Sequence, residues 1–183
     1  PLQDIQRAIR VVRSKAEEWG IDSEKIGAMG FSAGGHLAAT AGTHFDKGPG
    51  DPEDPLDRIS CRPDFMILVY PVITMKKFTH AGTRRNLLGP RPDAGLIDDL
   101  SVELQVSSET PPAFLVHADD DIAVRSENTI YFYLALRKAN VPVEIHIYQN
   151  GGHGFGIRGN HTLTAATWPE RCADWMRSRG LIK

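Results

Sequence analysis

The sequence predicts an α/β fold, a mostly parallel sheet with helices on both faces. Three observations lead there. Stretches with apolar residues at helical spacing alternate with short apolar runs. Those runs are continuously apolar, the pattern of strands covered on both faces. Glycine-rich or acidic segments follow directly on the ends of the runs, where open α/β sheets carry their chemistry.

Taken in order, Ile5, Ile9, Val12, Ala16 and Trp19 recur every three or four residues and predict a helix over 2–19, stopped near Gly20. Residues 25–31 read as a buried strand and 33–40 as a helix of small residues. The Gly and Pro cluster at 48–55 makes 43–63 a surface loop. Residues 65–72 form the longest apolar run and the clearest strand. The stretch 73–112 is irregular, with room for a helix near 84–88. A strand at 113–118, an amphipathic helix at 126–139 and a strand at 143–148 follow. Thr167-Trp168-Pro169-Glu170 reads as a capping box opening a last helix that ends at Gly180.

Composition narrows the function classes. The chain has 183 residues, 41% of them hydrophobic, which suits one globular domain. With 21 Lys and Arg against 23 Asp and Glu, the net charge of -2 gives no reason to expect a nucleic-acid or acidic-membrane partner. No apolar run is long enough to span a bilayer. Cys61 and Cys172 make no disulfide framework and are expected to be buried free thiols. The compartment is left open.

Gly30-Phe31-Ser32-Ala33-Gly34 matches G-x-S-x-G and lies between a strand and a helix. In such an elbow the serine takes a strained backbone conformation, and glycines two residues before and after it are expected to avoid collision. The Ser32 hydroxyl then projects at the carboxyl end of a strand. The Ala33 N–H, in the first turn of the next helix, can donate to a developing oxyanion.

A serine hydroxyl becomes a good nucleophile only when a base takes its proton. Of seven histidines, His153 stands out, within Gly151-Gly152-His153-Gly154 just after the last strand. His36 is expected to bond a loop and His146 to be structural. The acid that orients the base is expected from Asp119-Asp120-Asp121, after strand 113–118. Asp121 is favoured by the loop that follows it, with Asp120 the alternative.

The spacing Gly154-x-Gly156-x-x-Gly159, with Asp174 further on, imitates a dinucleotide fingerprint, but it does not open a helix that feeds another strand. No cofactor and no metal are expected. Asn160-His161-Thr162 is a glycosylation sequon of a kind common by chance.

These residues, in the order Ser32, Asp121, His153, resemble those of α/β-hydrolase esterases of the acetyl-xylan-esterase or feruloyl-esterase-like type, relatives of carboxylesterases. Gly30 to Leu37, Phe114 to Asp121, Gly151 to Gly156, Thr43-His44-Phe45-Asp46, Arg62-Pro63-Asp64-Phe65 and Arg84-Arg85-Asn86-Leu87-Leu88-Gly89 carry the resemblance, over nearly the whole chain. Arg125 departs from it, where such proteins often have Pro. The resemblance implies an α/β-hydrolase fold in which Ser32 is nucleophile, His153 base and Asp121 acid. It implies hydrolysis of short, acetyl-type esters, those on sugars included, with a small-molecule ester as substrate.

Such proteins also carry N-terminal strands and a glycine-rich oxyanion loop, and none is found before Ser32. The resemblance therefore implies a single domain over 1–183 that lacks its N-terminal strands. Reduced activity is then expected, and pairing of two chains across the exposed sheet edge. Two other readings share these residues: a peptidase like the catalytic domain of prolyl oligopeptidases, and a non-catalytic fragment serving as a binding or assembly module.

Overall fold

The computed structural model describes residues 1–48, 53–157 and 164–183. The sequon at 160–162, the end of the glycine pattern at 158–159 and the loop tip at 49–52 lie outside the described residues.

The chain opens with α1 (Leu2–Ser14), α2 (Ala16–Trp19), β1 (Gly27–Phe31) and α3 (Ser32–Thr43), followed by β2 (Phe65–Val69). Then come α4 (Ala81–Leu88), α5 (Ala94–Asp99), β3 (Ala113–Ala118), α6 (Glu127–Lys138), β4 (Val143–Tyr148) and α7 (Trp168–Ser178). The four strands form one parallel sheet in chain order, β1-β2-β3-β4. This is the α/β arrangement the sequence predicts, a parallel sheet with helices on both faces.

The central strands β2 and β3 are buried on both faces, and the pleat explains how. On β2, Met66 and Leu68 face a core shared with Ala38 and Ala39 of α3 and Phe132 and Leu136 of α6. Phe65, Ile67 and Val69 face the other way, onto Trp168, Cys172 and Trp175 of α7. Side chains such as Leu68, Leu115 and Phe114 are wholly buried, and each contributes roughly 1.5–3 kcal/mol by leaving water. Cys61 and Cys172 are free and buried, as expected.

Several elements differ from expectation. The helix expected over 2–19 breaks at Lys15, whose φ of -101° and ψ of 7° separate α1 from α2. The first strand is covered on one side only: Ala28 and Gly30 are buried, while Met29 is 47% exposed. The strand expected to reach residue 72 stops at Val69, because Tyr70 turns to a φ of 38°. The irregular 73–112 stretch holds α4 and α5, started by His80 and Asp93 side chains that accept from the N–H groups of Thr83 and Leu96. The capping box at Thr167 does not form. Residues 164–167 are a 3₁₀ turn, so Thr167 is already helical and its hydroxyl donates back to the Thr164 carbonyl.

Helix α1 is tied to β1 by charge as well as packing. Arg13 donates to the carbonyls of Ser23, Ser60 and Arg62 and to the Asp64 carboxylate. The same Asp64 oxygen accepts from the Ile26 N–H just before β1. The register aligns the strand ends: Phe31 is opposite Val69, Val69 opposite Val116, and Ala118 opposite Tyr148. Ser32, Tyr70, Asp119 to Asp121 and the loop after Tyr148 therefore emerge along one rim.

Candidate active site

Ser32 follows β1 with a φ of 52°, a left-handed conformation that costs a non-glycine residue on the order of 1–2 kcal/mol. The turn is tight on one side only. A Cβ at Gly30 would lie 2.1 Å from the Gly34 carbonyl oxygen, whereas a Cβ at Gly34 would meet nothing within 4 Å. The expectation that both glycines relieve a collision thus holds for Gly30 and fails for Gly34, which instead lines a cavity. The Val72 N–H donates to the Ser32 carbonyl at 3.0 Å and pins the elbow to the segment after β2.

The first N–H groups of α3, that of Ala33 included, have no carbonyl partner within the helix, and the helix dipole adds positive potential there. Beside this turn lies a cavity of about 600 Å³, whose walls include Ala33, Gly34, Leu37, Leu87 and Leu100, with Asn86 as a polar member.

His153 is brought to Ser32 by the loop after β4. Its Nε2 is 2.9 Å from the Ser32 Oγ, and its Nδ1 is 2.7 Å from the Asp121 Oδ2. A carboxylate partner requires the proton on Nδ1, which leaves Nε2 to accept from the serine hydroxyl. The loop is held at several points. The amides of Gly151 and Gly152 donate to Asp120 Oδ1 at 2.9 and 2.7 Å. The indole of Trp168 donates to the Gly156 carbonyl at 2.8 Å. The Tyr70 ring packs edge-on against both His153 and Phe155, with centroids 5.0 and 4.7 Å away.

Asp121 is buried. Its Oδ1 accepts the N–H groups of Ala123 and Val124 at 3.0 and 2.9 Å, a turn that sets the carboxylate's orientation. Burial alone would raise its pKa. Donors from His117, His153 and the Val124 backbone outweigh burial and draw it down to about 2. The carboxylate is therefore ionised at neutral pH and able to stabilise a positive imidazole beside it.

The structure thus brings together Ser32, Asp121 and His153, with Ala33 in the adjoining helical turn. Asp120 has a separate task, anchoring the histidine's loop. His36 bonds the Leu100 carbonyl at 2.9 Å, and His146 pairs with Glu144 at 2.8 Å, both away from this file of groups. Burial lowers the His36 pKa. Two neighbours escape the sequence reading. Tyr70 is signalled only by an aromatic before Pro71 at a strand end. His117 is signalled only by its position four residues before Asp121. Among the described residues, no cluster of three or more His, Cys, Asp or Glu is placed to hold a metal ion. Chemically, a hydroxyl, an imidazole and a carboxylate in series can draw off the hydroxyl proton as the oxygen attacks.

Comparison with known proteins agrees with this architecture. The BD-FAE family model matches residues 1–136, and the dienelactone hydrolase family model matches 100–178. An endo-1,4-beta-xylanase B of Butyrivibrio fibrisolvens is 40% identical over 157 residues, covering 86% of this chain and 25% of that protein. An acetylxylan esterase of Xylanibacter ruminicola is 37% identical over 162 residues, covering 86% of this chain and 31% of its own length. The chain thus spans a quarter to a third of these two relatives. The crystal structure of an acetyl ester-xyloside bifunctional hydrolase from Caldicellulosiruptor lactoaceticus superposes with a TM-score of 0.97 and 48% identity, over all of this chain and 67% of that one.

Proposed function

The chain belongs to the BD-FAE family, and from that premise and the site geometry we propose that it is a serine esterase acting on short, acetyl-type esters of carbohydrates. The observation that carries the reading is the continuous hydrogen-bonded file from Ser32 Oγ through His153 to Asp121. The acetylxylan esterase and the acetyl ester-xyloside hydrolase among its relatives support the ester and sugar assignment.

In this mechanism the Ser32 oxygen attacks the ester carbonyl while His153 Nε2 takes its proton. The imidazolium so formed lies against the ionised Asp121. The Ala33 N–H donates to the carbonyl oxygen as it becomes an oxyanion. Collapse of the tetrahedral intermediate returns the proton from His153 to the departing alcohol and leaves an acyl group on Ser32. Water activated by His153 then releases the acid. The cavity beside Ala33 and Gly34 provides room for a group flanking the ester.

The test is hydrolysis of p-nitrophenyl acetate and of acetylated xylo-oligosaccharides, with labelling by a serine-directed organophosphate. One label per chain on Ser32 is expected, with loss of turnover in Ser32→Ala. Turnover by Ser32→Ala as fast as the parent, or a label elsewhere, would overturn the reading. A parent protein that takes up no label would indicate a non-catalytic module.

A further inference from the structure

His117 on β3 is completely buried and takes no part in the reaction just proposed. Its Nε2 lies 2.9 Å from the Val124 carbonyl oxygen and 3.3 Å from Asp121 Oδ2. Its Nδ1 lies 2.6 Å from the Thr129 hydroxyl on α6. Both neighbours of Nε2 are acceptors, so Nε2 carries a hydrogen, directed at the carbonyl and lying alongside the carboxylate. Nδ1 faces a hydroxyl, the one group there that can donate to it. A ring so enclosed cannot turn over without leaving buried polar atoms unmatched.

The consequence falls on the loop 121–124. The Val124 N–H donates to Asp121 Oδ1 while the Val124 carbonyl accepts from His117. Asp121 is thereby held from its own turn on Oδ1, while on Oδ2 it meets His153 and has His117 alongside. We propose that His117 is a positioning residue: its Nε2–H, kept in that tautomer by Thr129, fixes the 121–124 loop so that Asp121 Oδ2 stays in line with His153 Nδ1. The inference rests on the reading of Asp121 as the acid partner of His153.

The titratable groups facing Asp121 are His117 from β3, His153 from the loop after β4, and the Tyr70 phenol at the end of β2. With the His117 donor removed, Asp121 Oδ2 has His153 as its one side-chain donor while Oδ1 keeps its backbone amides, and the carboxylate favours the protonated imidazole more strongly. The acidic limb of the rate profile then moves to higher pH.

The test compares His117→Phe, His117→Gln and Thr129→Val with the parent, normalised to the fraction of chains labelled at Ser32. For His117→Phe, kcat per labelled site is expected to fall roughly 10- to 100-fold, the cost of leaving the buried Val124 carbonyl without its donor beside Asp121. KM should stay within about threefold, because no substrate contact is lost. The acidic limb should move upward, and His117→Gln, whose amide restores an N–H, should recover part of both effects. Histidine-labelled NMR of the parent should find the His117 proton on Nε2.

A proton on Nδ1, or a His117→Phe protein with the parent's rate per site and pH profile, would overturn the inference. If His117→Phe does not fold, Thr129→Val decides: an upward acidic limb supports the inference, and an unchanged one sinks it. A parent that takes no label at Ser32 would defeat the esterase reading. The NMR tautomer and a carbon NMR titration of Asp121 in Thr129→Val, which need no turnover, would then decide this inference, an unmoved titration overturning it.

Discussion

Asp120 and Asp121 are consecutive in the chain and grip consecutive parts of one loop: Asp120 Oδ1 takes the amides of Gly151 and Gly152, and Asp121 Oδ2 takes the imidazole of His153. The first bond set holds the loop's backbone and the second orients its side chain. One β-strand end therefore controls both where the histidine stands and which nitrogen bears its proton.

Substituting the two aspartates should separate these tasks. Asp121→Asn is expected to lower kcat by about 10²–10⁴, because an amide at that place favours the wrong imidazole tautomer. Asp120→Ala should lower kcat by roughly 10-fold, the loop keeping its Trp168 and Tyr70 contacts. Steady-state kinetics of the two variants side by side checks the order; equal losses would contradict the division.

The elbow glycines should respond unequally to alanine. Gly30→Ala places a methyl 2.1 Å from backbone oxygen and must displace α3 or β1. A loss of more than about 3 kcal/mol or failure to fold is expected, well beyond an ordinary overpacked core site. Gly34→Ala meets open space in a helix, and should be neutral or stabilising by about 0.5–1 kcal/mol. Thermal melts of the pair decide it.

Acid should weaken the fold through Asp121 in a defined window. Its folded pKa of about 2 lies below its ordinary value near 3.8, so its stabilisation is complete above that value and drains away as pH falls toward 2. The share at stake is on the order of 2 kcal/mol. Urea unfolding of parent and Asp121→Asn at pH values across this window should show their stabilities converging as pH drops; a constant gap would argue against it.

Trp168→Phe should keep most of the aromatic packing on the sheet and lose the indole bond to Gly156. A stability loss of about 1–2 kcal/mol is expected, with a fall in kcat larger than any rise in KM. Calorimetry and initial rates measure both.

Much of this was legible in the residues alone, and the reasons for the exceptions are physical. The continuous apolarity of 65–69 and 113–118 can serve only a doubly covered sheet, and Ser32, Asp121 and His153 each follow a strand end. The break at Lys15 was hidden because the apolar spacing runs on across it. Helices α4 and α5 were blurred by the glycines and prolines around them, although Asp93 is an ordinary N-cap. Thr167 misled because a capping pattern needs a non-helical first residue, and the turn before it is already wound. Gly34 misled because the crossing over Gly30 is one-sided. His117 was nearly invisible because its importance lies in tertiary contacts with Asp121 and Thr129, of which its place four residues before Asp121 is the one trace along the chain.

A sheet whose spatial order matches its chain order has a consequence for biosynthesis. Among the described residues, β2, β3 and β4 can each add in turn to the strand before it as they leave the ribosome, with none of these displaced to admit the next. The His153 imidazole follows β4, long after the Ser32 hydroxyl has emerged behind β1. In the reaction proposed above, a nascent or clipped chain stopping short of His153 would carry an idle Ser32, and reactivity would begin only once β4 has docked on β3.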